Sequence, residues 1–388
     1  MLDFFFFSLL LALIFSYQPF ISTQYVPSEI RVPLLLLFTF FTVIFSFKKK
    51  NVFFFIIAGS IALAIFFSIW IGQSSKTLSD IVYVIVLIIF TFCFYTFLKR
   101  TPLLVWLLTR FWLVLLLFLS VWSIGAFITY NFKLLPYTFS PLGDYLYYYN
   151  SVFGYVYVKN FGTAELGRSC NYMLEPSYLA FILTTNFFLI KSMPFTALVK
   201  KISKPILFFG ALGTISTGCI IVFGVVFSVS VVYWFVKKLN FNERVARYIV
   251  FALLIIGVAV IATIPKERII EYLGNSSFAD RDNRITQSLI ILGTSDIKTI
   301  LLGHAPGSIE TNFSHGESNQ FMKLLIEEGV ILTILVTFFI VICTKHNFKF
   351  MLAVLIFLNS AVILWTPLFC INLILCRILT EPSEQKLI

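Results

Sequence analysis

Apolar runs recur along this chain, most of them close to the ~20 residues that cross a ~30 Å hydrocarbon core, and each stops at a short polar or basic cluster. The first covers Leu2 to Phe20 and gives way to a polar turn through Pro27, Glu29 and Arg31. The second, Val32 to Phe47, stops at Lys48, Lys49 and Lys50; the third covers 52–72. The fourth, Ile81 to Leu98, stops at Lys99 and Arg100, and an amphipathic stretch containing Pro102 leads to the fifth, Phe111 to Tyr130. A sixth begins at Glu175-Pro176-Ser177 and ends near Lys191. At ~1.5 Å per residue, 205–236 is too long for one upright helix. The turn Thr214-Ile215-Ser216-Thr217-Gly218 favours reading it as two short spans. Further runs at 245–264, 327–343, 350–365 and 368–379 complete a pattern of twelve. The expectation is an all-α polytopic membrane protein, one transmembrane domain over 1–388 with no repeat and no soluble domain. Two long polar interruptions, 131–174 and 265–322, are its large loops.

Composition agrees. Charged residues make up 12% of the chain and mean hydropathy is +0.95, against roughly 25% charged in soluble domains. The net charge of +11 does not point to nucleic acid, because most Lys and Arg sit in short loops where they set topology. Lys48 to Lys50, Lys99, Arg100, Lys191, Lys237, Lys238, Lys345 and Lys349 fall on one side if the N-terminus does. By the positive-inside rule both termini are then cytoplasmic and both long loops are outside. The N-terminus lacks a basic region and a small-residue cleavage site, so it reads as the first span. The six cysteines show neither metal-ligand spacing nor a disulfide framework.

Chemistry-bearing residues collect in the loops. Arg281 and Arg284 are spaced to share one helix face with Ser288, while Ile285, Leu289 and Leu292 line another. Two guanidiniums on one face suit a phosphate through paired donors and a permanent charge; they equally suit lipid headgroups. Arg168 precedes the sixth span. Glu175, just ahead of Pro176, is either favoured by the helix dipole or is a carboxylate able to act as base. Leu301-Leu302-Gly303-His304-Ala305-Pro306-Gly307-Ser308 is a Gly/Pro turn, and His315 follows in His315-Gly316-Glu317-Ser318-Asn319-Gln320. Asp280 and Asp282 resemble a metal-holding acidic pair, but Arg281 stands between them.

Glu175-Pro176-Ser177-Tyr178-Leu179-Ala180, the 214–218 turn, the Arg-bearing loop, the 301–308 turn and Glu317-Ser318-Asn319 ahead of Ile326-Glu327-Glu328-Gly329 together resemble bacterial O-antigen and exopolysaccharide polymerases. The resemblance spans roughly 160–345. It implies a metal-independent, cofactor-free glycosyltransferase of the bacterial inner membrane, with its active site facing the periplasm. Its substrates would be undecaprenyl-pyrophosphate-linked oligosaccharide donor and acceptor. Its partners would be a chain-length regulator, a flippase and membrane lipids, with no nucleic acid. Arg168, Arg281 and Arg284 would then stabilise the leaving pyrophosphate, and Glu175 or His315 would be the base. His304, Glu317 and Asn319 are further candidate substrate contacts. The related O-antigen ligases carry a histidine where Ser318-Asn319 stands here, which favours polymerase over ligase. A flippase for the same glycan would place charge inside its spans, and these spans are poor in charge.

Overall fold

The computed structural model describes residues 2–17, 28–46, 78–142, 145–161, 164–173, 175–238, 286–304, 308–309, 320–358, 364 and 366–381. The runs at 52–72 and 245–264, and most of 265–322, lie outside the described residues. Pro102–Asn131 is one continuous helix (α4), because Pro102 occupies its first turn, where no backbone N–H is needed. The amphipathic stretch and the fifth span are therefore a single element. Leu104, Leu108, Trp112, Leu116, Leu119, Ser123 and Ala126 face inward at helical spacing, while Val114, Phe118, Val121 and Ile128 form a bare apolar stripe suited to lipid.

The helices ahead of it are α1 (Leu2–Ser16), α2 (Ser28–Ser46) and α3 (Leu78–Leu98). After it come α5 (Pro176–Leu189), α6 (Ala197–Leu212) and α7 (Thr217–Lys238). A helix over 286–294 (α8) and α9 (Ile297–Leu302) follow. The set closes with α10 (Gln320–Thr344), α11 (Phe348–Phe357) and α12 (Pro367–Thr380). The chain is mostly helical. Among the described residues α4 and α10 are long and apolar enough to cross a membrane, with several shorter apolar helices beside them. The 205–236 segment does divide, at the 213–216 turn between α6 and α7. Lys200, Lys201 and Lys204 lie on the early turns of α6, which Thr196 caps through the Val199 N–H.

The all-α expectation needs correction at 131–174. Four antiparallel strands form a meander there: β1 (Thr138–Leu142), β2 (Tyr145–Asn150), β3 (Gly154–Phe161) and β4 (Ala164–Asn171). Tyr147 and Tyr149 on β2 are spaced by two, as are Tyr155 and Tyr157 on β3, and Tyr147 stands opposite Tyr157 while Tyr149 stands opposite Tyr155. That alternation puts one aromatic face on the sheet. The β2–β3 turn is set by Asn150, whose side-chain oxygen accepts from the Val152 and Phe153 N–H groups, and by Gly154 at a φ of 75°.

Contacts sort the helix ends into two sets. Asn347 on the approach to α11 donates to the Phe188 carbonyl near the end of α5, and Phe357 packs on Phe181 near its start. The starts of α5, α10 and α12, the end of α11 and the sheet therefore lie at one end, where Phe321 N–H donates to the Leu358 carbonyl. The opposite end holds Lys99, Arg100, Lys191, Lys345 and Lys349 beside a cluster in which Tyr95, Arg377 and Lys99 all engage Glu381.

Midway, Trp112 Nε1 donates to Asn186 Oδ1 (2.9 Å), and Asn186 Nδ2 donates to Asn372 Oδ1 (3.0 Å) and the Ile182 carbonyl (2.8 Å). Asn372 Nδ2 completes the network by donating to Thr185 Oγ1 (2.9 Å). Both asparagines are fully buried, and each side-chain oxygen and nitrogen has a partner, so the network fixes α4, α5 and α12 in register. Asn186→Ala strands the Trp112 N–H and one Asn372 acceptor. It should cost about 1–3 kcal/mol, read as a lower unfolding temperature in detergent.

Candidate functional site

At ~1.5 Å per residue the 30 residues of α4 make it ~45 Å long, and its last turns run past the end of α6, where Gly213 meets Ser123. The sheet is built against that overhang. Asn131 grips Gly167 from both sides, donating to its carbonyl (3.0 Å) and accepting from its N–H (2.8 Å). Tyr130 lies over Gly167 and Phe153 over Gly125, positions where a Cβ would collide with the ring. Lower down, Asn171, in the left-handed region at a φ of 52°, donates to the Leu119 carbonyl (2.8 Å) and accepts from Ser169.

This docking lays β4 on the turn between α6 and α7. Ser169 N–H donates to the Gly213 carbonyl (3.1 Å), and Arg168 Nε donates to the Thr214 carbonyl (3.2 Å). The guanidinium lies 6.0 Å from the Tyr157 ring, on the face that carries Tyr147 and Tyr155. Glu175 sits half-buried at the start of α5. It does not cap the helix; instead it accepts the Ser177 hydroxyl (2.7 Å). Arg168 and Glu175 both act electrostatically on Cys170, whose thiol burial pushes up. Two segments distant in sequence, 168–175 and 213–216, thus converge at the sheet end.

A second polar cluster lies where α10 begins, at the same end. A π-helical turn, Leu324–Glu328, is followed by Gly329 at φ 79° and ψ 174°, a conformation almost restricted to glycine, and the helix breaks there. The 301–304 backbone fills the break. His304 N–H donates to the Ile326 carbonyl (2.8 Å), and Gly303, at φ 87° and ψ 168°, lies against the Glu327 carbonyl. A Cβ on Gly303 would strike that carbonyl, and one on Gly329 would strike the Leu301 carbonyl and the Gly303 nitrogen. Ile309 N–H donates to the buried Glu327 carboxylate (3.4 Å). His304 Nε2 lies 2.7 Å from Ser295 Oγ. Burial holds the imidazole below its ordinary value, opposed by the Asp296 charge.

Of the residues singled out in the sequence, Arg168, Glu175 and His304 are placed here. Arg281, Arg284, His315, Glu317 and Asn319, with Asp280 and Asp282, lie outside the described residues. On α8, Ser288 is buried while Leu289 and Ile290 face outward. Sequence reasoning overlooked Ser295, Ser308, Gln320 and Glu327. The spacing of Gln320 and Glu327, two turns apart on one helix face, was the available signal.

Gly303→Ala and Gly329→Ala should each cost at least about 1–3 kcal/mol in backbone strain, with the steric clash added. Gly293→Ala, where a Cβ meets nothing within 4 Å, should leave the detergent melting temperature unchanged in the same assay. Comparisons of this chain with known protein families, with characterised proteins and with solved structures returned no significant match.

Proposed function

We propose that this protein is an integral-membrane glycosyltransferase of the O-antigen polymerase type. It would join oligosaccharide units carried on a polyprenyl pyrophosphate at the outer face of the bacterial cytoplasmic membrane. The observation that carries the reading is the gathering of Arg168, Glu175 and the 213–216 turn at one end of the bundle, opposite the end rich in lysine. Under the positive-inside rule the lysine end is cytoplasmic and the Arg168 end faces out. Lipid-linked sugars would meet the chain there.

The transfer is a displacement at the anomeric carbon. The acceptor hydroxyl attacks, and the lipid pyrophosphate leaves with the bonding electrons. Charge develops on that leaving group, and fixed guanidiniums stabilise it without reorganisation. Arg168 is held ready by Thr214 for this role, with Arg281 and Arg284 as the partners expected from the resemblance. Glu175, bonded to Ser177 at the membrane edge, suits orientation of a sugar hydroxyl. Half-buried Tyr155 and Tyr157 beside Arg168 provide flat apolar surface for a sugar ring.

Cells lacking the protein should show surface glycan stopped at one repeat unit on a gel ladder. Polymer that accumulates on its lipid without reaching the core would indicate a ligase, and single units trapped on the cytoplasmic face a flippase. Arg168→Ala, Arg281→Ala and Arg284→Ala should each reduce chain extension by about 100-fold or more at unchanged protein level; normal long chains in all three would sink the pyrophosphate role. Chelation of divalent ions should leave polymerisation intact, and its loss would revive the Asp280/Asp282 pair as a metal site.

A further inference from the structure

The lock at the broken helix also defines the protonation geometry of one imidazole. Ser295 Oγ lies 2.6 Å from the Ile291 carbonyl, one helical turn earlier, as well as 2.7 Å from His304 Nε2. A carbonyl only accepts, so the single serine proton is committed to Ile291. The contact to His304 is then a bond in which Nε2–H donates to the serine oxygen. That selects one neutral tautomer and leaves the lone pair on Nδ1. The root of the side chain is equally constrained, by the His304 N–H bond to Ile326 and by the close approach of Gly303 to Glu327.

The same region holds polar groups in want of partners. Ser308 and Gln320 are 3% and 2% exposed, and among the described residues neither Ser308 Oγ nor Gln320 Oε1 has a hydrogen-bond partner. Ser308 adjoins Ile309, which is bonded to Glu327, so it lies beside the π turn that also receives His304. Gln320 lies two turns before Glu327 on the buried side of α10. A buried oxygen with no partner destabilises the fold unless a ligand meets it. A hydroxyl-rich ligand does so, and a lipid tail does not.

We propose that His304 is the base of the reaction, with Nδ1 taking the proton of the acceptor sugar hydroxyl. Ser295 is the positioning residue that sets the tautomer, and Ser308 and Gln320 bind neighbouring hydroxyls of the same sugar. As the O–H bond breaks toward Nδ1, the oxygen bonds the anomeric carbon. The bond from that carbon to the pyrophosphate oxygen breaks, and the electron pair leaves on the lipid pyrophosphate. The imidazolium then returns its proton to solvent. Among the described residues, the charged groups on the elements packed around His304 are Asp296 and Lys298 on the α9 side and Lys323, Glu327 and Glu328 on the α10 side.

This inference rests on the glycosyl-transfer reading. Its test uses membranes containing the full chain, supplied with lipid-linked repeat unit extracted from cells that lack the protein. Chain extension is followed across the pH range on either side of the ordinary histidine value. The wild-type rate should rise with pH through a limb below that value, because burial favours the neutral ring and the neutral ring is the active form. His304→Gln should lower kcat by about 100-fold or more, leave KM within a few-fold, and abolish the limb. Ser295→Ala should lower kcat with KM unchanged, and Ser295→Thr should restore it. In ¹⁵N-histidine-labelled protein, the signal lost in His304→Gln should be that of an Nε2–H tautomer. Normal extension by His304→Gln while Arg168→Ala is inactive would overturn the base, and an Nδ1–H tautomer would overturn the role of Ser295. A wild-type protein inert toward this substrate would remove the glycosyl-transfer reading and the base with it. The tautomer measurement would then still decide whether Ser295 orients His304.

Discussion

A broken helix in an apolar setting must find partners for the backbone groups that the break exposes. At Gly329 that demand is met from outside α10, by the backbone of 301–304, whose His304 N–H reaches the Ile326 carbonyl. Contact this close between two backbones requires that neither carry a Cβ, which accounts for glycine at both 303 and 329. Once made, the contact places Ile309 on Glu327 and His304 on Ser295. A loop with no hydrophobic core of its own becomes a rigid wall by this means.

The other half of the polar end is organised by a different device. α4 runs past the end of α6, and the overhang gives the sheet a surface to dock on. Asn131 and Asn171 then fix β4 at two heights along that helix. The consequence is that Arg168, a strand residue, is set by a carbonyl in the α6–α7 turn. Deeper in the bundle the Trp112–Asn186–Asn372–Thr185 network ties α4, α5 and α12 together. The first polar cluster therefore stands on helices whose relative positions are pinned, and Arg377 of α12 ties α10 to them by donating to the Ile342 carbonyl. On the proposed reading this separates a cationic side, which receives a leaving pyrophosphate, from a side carrying the base.

Much of this was legible in the pattern of apolar runs and closing lysines, because burial in hydrocarbon demands helices of a minimum length and charge marks their ends. The division of 205–236 at Thr214 could be read from a single turn. The continuity of α4 could not, since Pro102 reads as a breaker unless it is known to occupy a first turn. The sheet was hidden for a related reason. Tyr147, Tyr149, Tyr155 and Tyr157 fit an interfacial belt and a two-residue alternation equally well, and only pairing distinguishes the two.

By itself the sequence determined that the chain is predominantly helical, that its basic residues segregate, and that Arg168, Glu175 and His304 border apolar runs. Those are properties of composition and period, set by local chemistry. Which of them meet was decided only in three dimensions. Arg168 bonds Thr214 across 46 positions of chain, and Asn186 bonds Asn372 across 186. Such pairings depend on how helices of similar hydropathy choose neighbours. That choice rests on small residues, buried amides and backbone fit, and it leaves no periodic trace in the chain.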